Sequence, residues 1–490
     1  MRYNAYLFSI FILFVAGCTG QINKQTVQRD SMVESSLSAA LTASEQFYLG
    51  DWPEKQWWTQ FNDPQLTELI ETALQTSPTL QRAFYQMQSA EQQAKKIRSF
   101  LFPQLDVEAM ENWEYFSKNG FVRDFYPVTP PMQVPPTVNQ LDLSLNLNYE
   151  IDFWGKNKKR FHAALGEAKA QMAERAQAQL TLCTAIAFAY FTFQTKAREL
   201  HTNEQILQLV KEKQSLRSDR TYCGIDNAVP LLDVDESLYA IKQEISRLNK
   251  EMIVDVYVLK ELLGEGPDSP REIVPGQISY PSRISLPQNI GLDLLSHRPD
   301  LVAGLWRVES ASQNIGVAKT EFYPNVNLAA FGGLESLSFA NFLSWDSKTG
   351  AISPAIHLPL FTGGRLKANL QEKVAEYHQA VFAYNETLLR AAREVVSEIA
   401  SIRSIQERTQ LQQTLLRSVK AKIDINSNRH QNGIETQLTL LSTKENYLVQ
   451  QLTEIHLDES KLFSLIRLIK SLGGGYEEIH LPPQATAGAP

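Results

Sequence analysis

Few residues in this 490-residue chain are spaced for chemistry. Asp142, Glu150 and Asp152 lie near one strand-like stretch and could mimic paired carboxylates that divide acid and base roles. Asp142 and Glu150 fit better on the lumen-facing polar side of a strand, where no reaction is asked of them. The eight histidines are scattered, and none stands in the His-Glu-x-x-His spacing that aims two imidazoles at zinc. Gly363-Gly364-Arg365 lacks the Lys-Ser/Thr of a phosphate-cradling loop. Gly473-Gly474-Gly475 follows a helical pattern and reads as a C-cap leading into a tail. Lys158, Lys159 and Arg160 suit either a membrane surface near phosphates or a solvated helix face. No catalytic set, metal site or cofactor site is expected, so the chain reads as something other than an enzyme.

The covalent chemistry the sequence does announce is at Cys18. Arg2 and the apolar Ala5–Val15 form a targeting segment too short to span a bilayer. Val15-Ala16-Gly17-Cys18 resembles a bacterial lipobox, in which cleavage leaves the cysteine first and lipid-bearing. Thr19, not Asp, comes next, which in bacterial lipoproteins goes with sorting to the outer membrane. Several acyl chains anchor firmly, because two membrane signals already suffice. Loss of Met1–Gly17, with Arg2, takes the net charge from -7 to -8. That acidity gives no support for nucleic-acid binding, which wants a basic face. Hydrophobic residues at 43% and charged residues at 21% indicate a folded chain. No later apolar run of 18 residues stands out, so helical membrane spans are not expected, although a barrel leaves a far weaker signal. Cys183 lies in the apolar run TLCTAIAFAYF and reads as a small buried hydrophobe, whereas Cys223 reads as an exposed thiol. On one helix they are roughly 60 Å apart, too far for a disulfide.

The elements that position these groups are organised around Leu141–Gly155, LDLSLNLNYEIDFWG. Leu141, Leu143, Leu145, Leu147 and Tyr149 share one face; Asp142, Ser144, Asn146, Asn148 and Glu150 share the other. Strict alternation over that length suits a transmembrane strand with lipid on one side and water on the other. The chain turns at Trp154-Gly155, and the period changes to that of a helix of roughly 65 residues, or roughly 100 Å. Leu105, Val107 and Ala109 begin an earlier strand, and the Pro-, Gly- and aromatic-rich Asn119–Val138 reads as the loop between the two.

The pattern then repeats. Val326 and Leu328 start a third strand, Ile352, Ile356, Leu358 and Leu360 carry a fourth, and Gly363-Gly364 opens another long helix. Gly364 lies 209 residues after Gly155, Gly433 lies 209 after Gly224, and Gly473 lies 209 after Gly264. Three breaks at one offset, each ending the same element, indicate a duplicated strand-strand-helix-helix unit. The boundaries that follow are a signal peptide over 1–17 and a tether over 18–62. A first repeat covers 63–264, a linker 265–290, a second repeat 291–473 and a tail 474–490. Asp63 before Pro64 reads as a helix cap, with helices over Gln65–Thr76 and Thr79–Ser99. The apolar stripe Leu366, Leu370, Val374, Tyr377, Val381, Tyr384, Leu388 continues to Ile402 at heptad spacing, and the return helix offers a matching stripe from Leu438 to Leu465. Trp52, Trp57, Trp58 and Phe61 suit a membrane interface or a protein wall.

Four strands cannot close a barrel, and an open edge in lipid leaves backbone groups unpaired. Several copies must share one barrel: two would give eight strands with a filled interior, three would give twelve with a wet lumen. A coiled-coil envelope scaffold without a pore would not need the alternating strands.

The stretches VAGC, WWTQFNDPQLTELIETAL, LNLNYEIDFWGK, LLDVDESL, LTLLSTKENYL, SHRPDLVAG, FYPNVNLAAFGG, LPLFTGGR and LGGG resemble, in order, those of TolC-family outer-membrane factors, in particular the lipid-anchored type of tripartite RND-type efflux systems. The resemblance implies a mainly helical fold with a membrane β portion. Each chain of a homotrimer would give four strands to a twelve-strand outer-membrane barrel, continued by an α-barrel through the periplasm. It implies an exit duct for drugs or other small solutes, with a periplasmic adaptor and an inner-membrane transporter as partners. The covalent lipid on Cys18 is the one attached group, and a protein-secretion duct is the alternative cargo. It implies adaptor docking at the hairpin tips near Gly224 and Gly433. In that family, charged side chains before the second tip pinch the channel shut. Here they would be Asp424 and Arg429, with Asp226 at the other tip. Arg429 is followed by His430 where family members often have Tyr, so the closing network would differ and His430 could add pH dependence.

Overall fold

The computed structural model describes residues 48–117, 137–279, 285–287 and 296–477. Cys18, the signal peptide, most of the tether, most of the Asn119–Val138 loop and most of the tail lie outside them.

A short strand, β1 (Tyr48–Gly50), leads to a 3-10 turn, Trp57–Phe61, and then to helices α1 (Pro64–Thr76) and α2 (Pro78–Ser99). Asp63 caps α1: its Oδ1 accepts from the Leu66 amide at 3.1 Å, and Pro64 opens the helix where its missing N–H costs nothing. Strands β2 (Gln104–Tyr115) and β3 (Thr137–Ile151) follow. Two long helices come next, α3 (Lys156–Tyr222, 67 residues) and α4 (Val229–Leu263, 35 residues). After β4 (Ser285–Pro287) the unit recurs as α5 (Pro299–Thr320), β5 (Asn325–Ser336), β6 (Lys348–His357), α6 (Arg365–Gln431) and α7 (Gln437–Ser471).

The duplication runs deeper than the glycines. Pro299 and Thr320, the ends of α5, lie 221 residues after Pro78 and Ser99, the ends of α2. Past the strands the offset falls to 209, from Gly155 to Gly364. The connection between β2 and β3 is 21 residues and its counterpart between β5 and β6 is 11, so ten of the twelve extra residues lie between the strands.

The sheet has the order β2-β3-β5-β6, all neighbours antiparallel, so β2 and β6 are its edges. Directly paired residues share a face. Leu105 pairs with Leu147, Val107 with Leu145, Leu147 with Ala330, Tyr149 with Leu328, and Ala330 with Ile352. That row is apolar from edge to edge. The alternate row pairs Asp106 with Asn146, Glu108 with Ser144, Asn148 with Ala329, and Ala329 with Ser353. On this side Asn146 Nδ2 donates to Glu108 Oε2 at 3.2 Å. The two-faced strand inferred from Leu141–Glu150 is one slat of a two-faced sheet.

Below the sheet, the helices pack on each other. The Ala-rich start of α3 lets α5 approach closely: Ala170 and Ala173 pack against Val302, Ala303 and Trp306, and Ser310 Oγ donates to the Ala163 carbonyl at 2.8 Å. The stripe on α6 is buried as its spacing predicts, but its partners differ along its length. Tyr377, Val381, Tyr384 and Leu388 pack with Leu301, Val308 and Ile315 of α5, because α5 occupies the groove that the return helix fills only further down. Trp57, Trp58 and Phe61 are at most 2% exposed. They pack with α1, Ile186, Tyr190 and Phe191 of α3, Leu259 of α4 and Ile466 of α7. The extended tether therefore stops short of residue 57 and does not reach 62: these aromatics have a core, not a membrane interface, to sit in. The most apolar window of α3 is half buried within the protomer; Leu182–Phe193 packs in the same core.

The linker is also more built than its composition suggests. β1 and β4 pair in parallel, and Lys260 Nζ donates to the carbonyls of Pro267 and Ser269 at 3.1 and 2.8 Å. Arg271 pairs with Glu68 and Glu265. Gln194 clasps the strap from both sides, donating to the Val274 carbonyl and accepting from the Gly276 amide. Arg298, 7% exposed at its side chain, ties the start of α5 to Asp300, to Glu394 of α6 and to the Ser471 carbonyl at the end of α7. Gly473 follows at φ +92°, where a Cβ would meet the His297 carbonyl oxygen. Only glycine permits that approach.

The register makes a face-specific expectation. Leu145→Arg places a cation on the apolar row and costs about 2–4 kcal/mol per chain in a bilayer, whereas Asn146→Arg on the polar row leaves assembly intact. The fraction of protein migrating as a heat-modifiable oligomer, measured for both variants, checks this.

Candidate functional site

Two places concentrate the residues singled out in the sequence: the passage from sheet to long helices, and the helical tips at the opposite end. At the first, Asp152 accepts from the amides of Asn157 at 3.0 Å and Lys158 at 2.8 Å, so it caps the N-terminal end of α3. Glu150 pairs with Lys156 at 2.8 Å. The carboxylates that could have shared acid–base chemistry thus hold a turn. Gly155 and Gly364 stand immediately before α3 and α6, both with positive φ. Trp154 stacks on Tyr323 with ring centroids 4.9 Å apart, and its Nε1 donates to the Pro324 carbonyl at 2.8 Å. This contact fastens the β3–α3 turn of one repeat to the α5–β5 turn of the other. A cleft of about 240 Å³ opens there, lined among others by Lys156, Tyr323, His357 and Arg365.

At the tips the two hairpins leave their long helices through the same turn. Gly224 at φ +67° and Gly433 at φ +72° take the left-handed conformation, with open space where a Cβ would point. The glycines serve the backbone, not packing. The next two amides fold back onto the Arg220 carbonyl in the first tip and onto the Arg429 carbonyl in the second. Each arginine then reaches the acid two residues after its glycine. Arg220 holds Asp226 in a fork, Nε to Oδ2 at 2.8 Å and Nη2 to Oδ1 at 2.9 Å, and Arg217 adds a bond of 2.7 Å. Arg429 lies 3.6 Å from Glu435, whose backbone carbonyl faces His430 Nδ1 at 3.1 Å. Hydrogen bonds from Arg220 first, and Arg217 next, hold the Asp226 carboxyl down from 3.8 to about 2. The Glu435 carboxyl is lowered too, chiefly by the Thr439 hydroxyl.

The gate candidates are therefore dispersed within one protomer. Asp226 belongs to its own tip's arginines. Arg429 is brought to Glu435 and not to Asp424, which is exposed on the α6 surface. Glu435 was missed, although a signal existed: Arg220, Gly224 and Asp226 recur 209 residues on as Arg429, Gly433 and Glu435. Apolar side chains crown both tips, with Tyr222 93%, Ile225 63% and Ile434 65% exposed. Among the described residues no cluster of three or more His, Cys, Asp or Glu could hold a metal ion.

The family model described as outer membrane efflux protein matches residues 69–265 and again 292–474. The chain belongs to this family. Multidrug resistance outer membrane protein MdtP of Escherichia coli strain K12 is 27% identical over 487 residues, with 97% of this chain and 98% of MdtP covered. Multidrug resistance outer membrane protein MdtQ of Escherichia coli O6:H1 is 28% identical, with 95% and 97% covered. Among solved structures, the outer membrane protein VceC of Vibrio cholerae superposes with a TM-score of 0.77 at 33% identity, covering 87% of this chain and 100% of VceC. The Campylobacter jejuni CmeC outer membrane channel shares the fold, with a TM-score of 0.79 at 21% identity over 94% and 95% of the two chains. This efflux protein resides in the outer membrane and serves as the exit duct of an efflux pump, with the outer-membrane-factor fold expected from its sequence.

The tips give a pH expectation with a definite sign. The folded-state value of Asp226 lies below its ordinary one, so the pair's stabilisation is complete above the ordinary carboxylate range and is lost only as pH falls toward about 2. Hydrogen-exchange protection of residues 222–226 should stay level from neutral to mildly acid pH, and Asp226→Asn should lower it throughout. Thiol labelling gives a second expectation. Burial pushes the Cys183 thiol up to about 12, while Cys223 is exposed, so a maleimide at neutral pH should modify Cys223 and spare Cys183 until the protein is denatured.

Proposed function

We propose that three identical copies complete the duct, each contributing β2, β3, β5 and β6 to a twelve-strand barrel and its long helices to an α-barrel beneath. The observation that carries this reading is the sheet with two unlike faces and two free edges. Its apolar row suits lipid, its polar row suits a wet lumen, and neither edge is tolerable in hydrocarbon unless another copy pairs with it. Transport is then passive. The chain is no enzyme, and a periplasmic adaptor and an inner-membrane transporter supply selection and energy. Drugs or other small solutes are the cargo in this reading, in keeping with relatives named for multidrug resistance. Cys18 carries covalent lipid that adds a second hold on the outer membrane. The adaptor docks at the tips around Gly224 and Gly433, where exposed apolar side chains stand on a rigid charged turn.

Asp424 and Arg429 narrow the periplasmic end by contacts between neighbouring copies. Arg429 retains a single, partly exposed pair at 3.6 Å within its own chain, so its charge is available to a neighbour. The test is conductance in planar bilayers together with mass determination of the detergent-extracted protein. A conducting particle of three mature, lipid-bearing chains is expected; a non-conducting one, or one of two copies, overturns the reading. Asp424→Asn and Arg429→Gln should each raise single-channel conductance without adaptor, and unchanged conductance in both removes these residues from the gate.

A further inference from the structure

Where the sheet meets the helices, four helix ends come together, and each carries cations that no acid among the described residues pairs. Arg98 ends α2 and Lys319 ends α5, where positive charge complements the helix dipole. Lys158 and Arg160 begin α3, and Arg365 and Lys367 begin α6, where the dipole opposes them and neither first turn holds an acid. All six side chains belong to exposed residues. Of the acids at this level, Glu150 pairs with Lys156, while Asp152 caps α3 through the amides of Asn157 and Lys158 and Glu321 accepts from Asn369. The cations outnumber these acids, so a chain of net charge -7 gathers an excess of positive charge at one level. Large aromatics stand exposed at the same turns, with Phe102 56%, Phe153 67% and Phe361 93% exposed. Phe153 stands in the turn two residues past the end of β3.

We propose that this level is a collar that grips the phosphates of anionic phospholipids in the periplasmic leaflet, with the aromatics seated at the boundary of their acyl chains. The inference rests on the exit-duct reading and adds a lipid chemistry to it. Aromatic side chains favour the headgroup boundary, and cations next to it are drawn to anionic lipid. That attraction outweighs the local penalty of placing Lys and Arg at the starts of two helices.

The detergent-extracted oligomer, incubated with dioleoyl phosphatidylglycerol or dioleoyl phosphatidylcholine and analysed by native mass spectrometry, reads this directly. The wild type should retain the anionic lipid about fivefold more than the zwitterionic one. The quadruple variant Lys158→Gln, Arg160→Gln, Arg365→Gln, Lys367→Gln should retain both alike, while its oligomer and single-channel conductance stay unchanged. Equal retention in the wild type overturns the proposal, as does a preference unaltered in the variant. Displacement of the lipid by excess inorganic phosphate would assign the cations to free phosphate instead. Altered ion selectivity without altered lipid retention would place them on the lumen wall. Absence of wild-type conductance would sink the exit-duct reading, which the lipid measurement leaves separately visible.

Discussion

A bilayer core offers no water to a backbone, so each peptide group at that depth must find its hydrogen-bond partner in protein. Most features of this chain follow from that requirement. A helix meets it alone, but this protein places strands there, and strands meet it only through neighbours. Among the described residues of one chain β3 and β5 have strand neighbours on both sides, whereas β2 and β6 have one on a single side. The same four strands carry the apolar and polar rows in register, so the surfaces that demand lipid and water are fixed before any second copy arrives. Closure then depends on what the sheet already is.

The requirement also governs how the sheet gives way to helices. A strand entering a helix leaves amides of the first helical turn without acceptors. Asp152 takes two of them, and positive-φ Gly155 makes the sharp entry. The Trp154–Tyr323 stack then joins the two repeats at their turns, which keeps the strands of both units in one sheet. Duplication explains the economy of this design. One strand-strand-helix-helix unit was used twice, and its helices kept their lengths, 67 residues in α3 and α6 and 35 in α4 and α7. Ten of the twelve residues by which the repeats differ lie in the connections between strands.

What could be read from the sequence divides along physical lines. Periodic features were legible because period is a property of long runs: the alternation of Leu141–Glu150, the heptads of α6, the alanines of α3. The sheet register and the α3–α5 contact bear them out. Capping at Asp63 was legible because Asp-Pro has one local meaning. Short non-local features were not. Three residues of β1 pair with three of β4 across more than two hundred positions, and no period can announce that. Trp57, Trp58 and Phe61 could have met lipid or protein; composition alone does not choose, and packing against Phe191 and Ile466 does. At the tips, the resemblance marked Asp424, Arg429 and Asp226 but not Glu435, which the turn folds back to Arg429.

The two tips share one backbone and differ in how firmly it is held. A planar guanidinium matched to a carboxylate through two bonds fixes orientation as well as distance, and Arg217 adds a second cation to the same carboxylate. Asp226 is accordingly 13% exposed at its side chain. Glu435 has a longer side chain, a single cation at 3.6 Å and a hydroxyl partner of its own. The additional methylene lets it reach Thr439 and loosens its hold on Arg429. An ancestral pair of equal turns has thus become one braced tip and one adjustable tip on the same scaffold. The looser arginine sits on α6, the same long helix that carries Asp424, whereas the braced pair belongs to α3 and the turn that follows it.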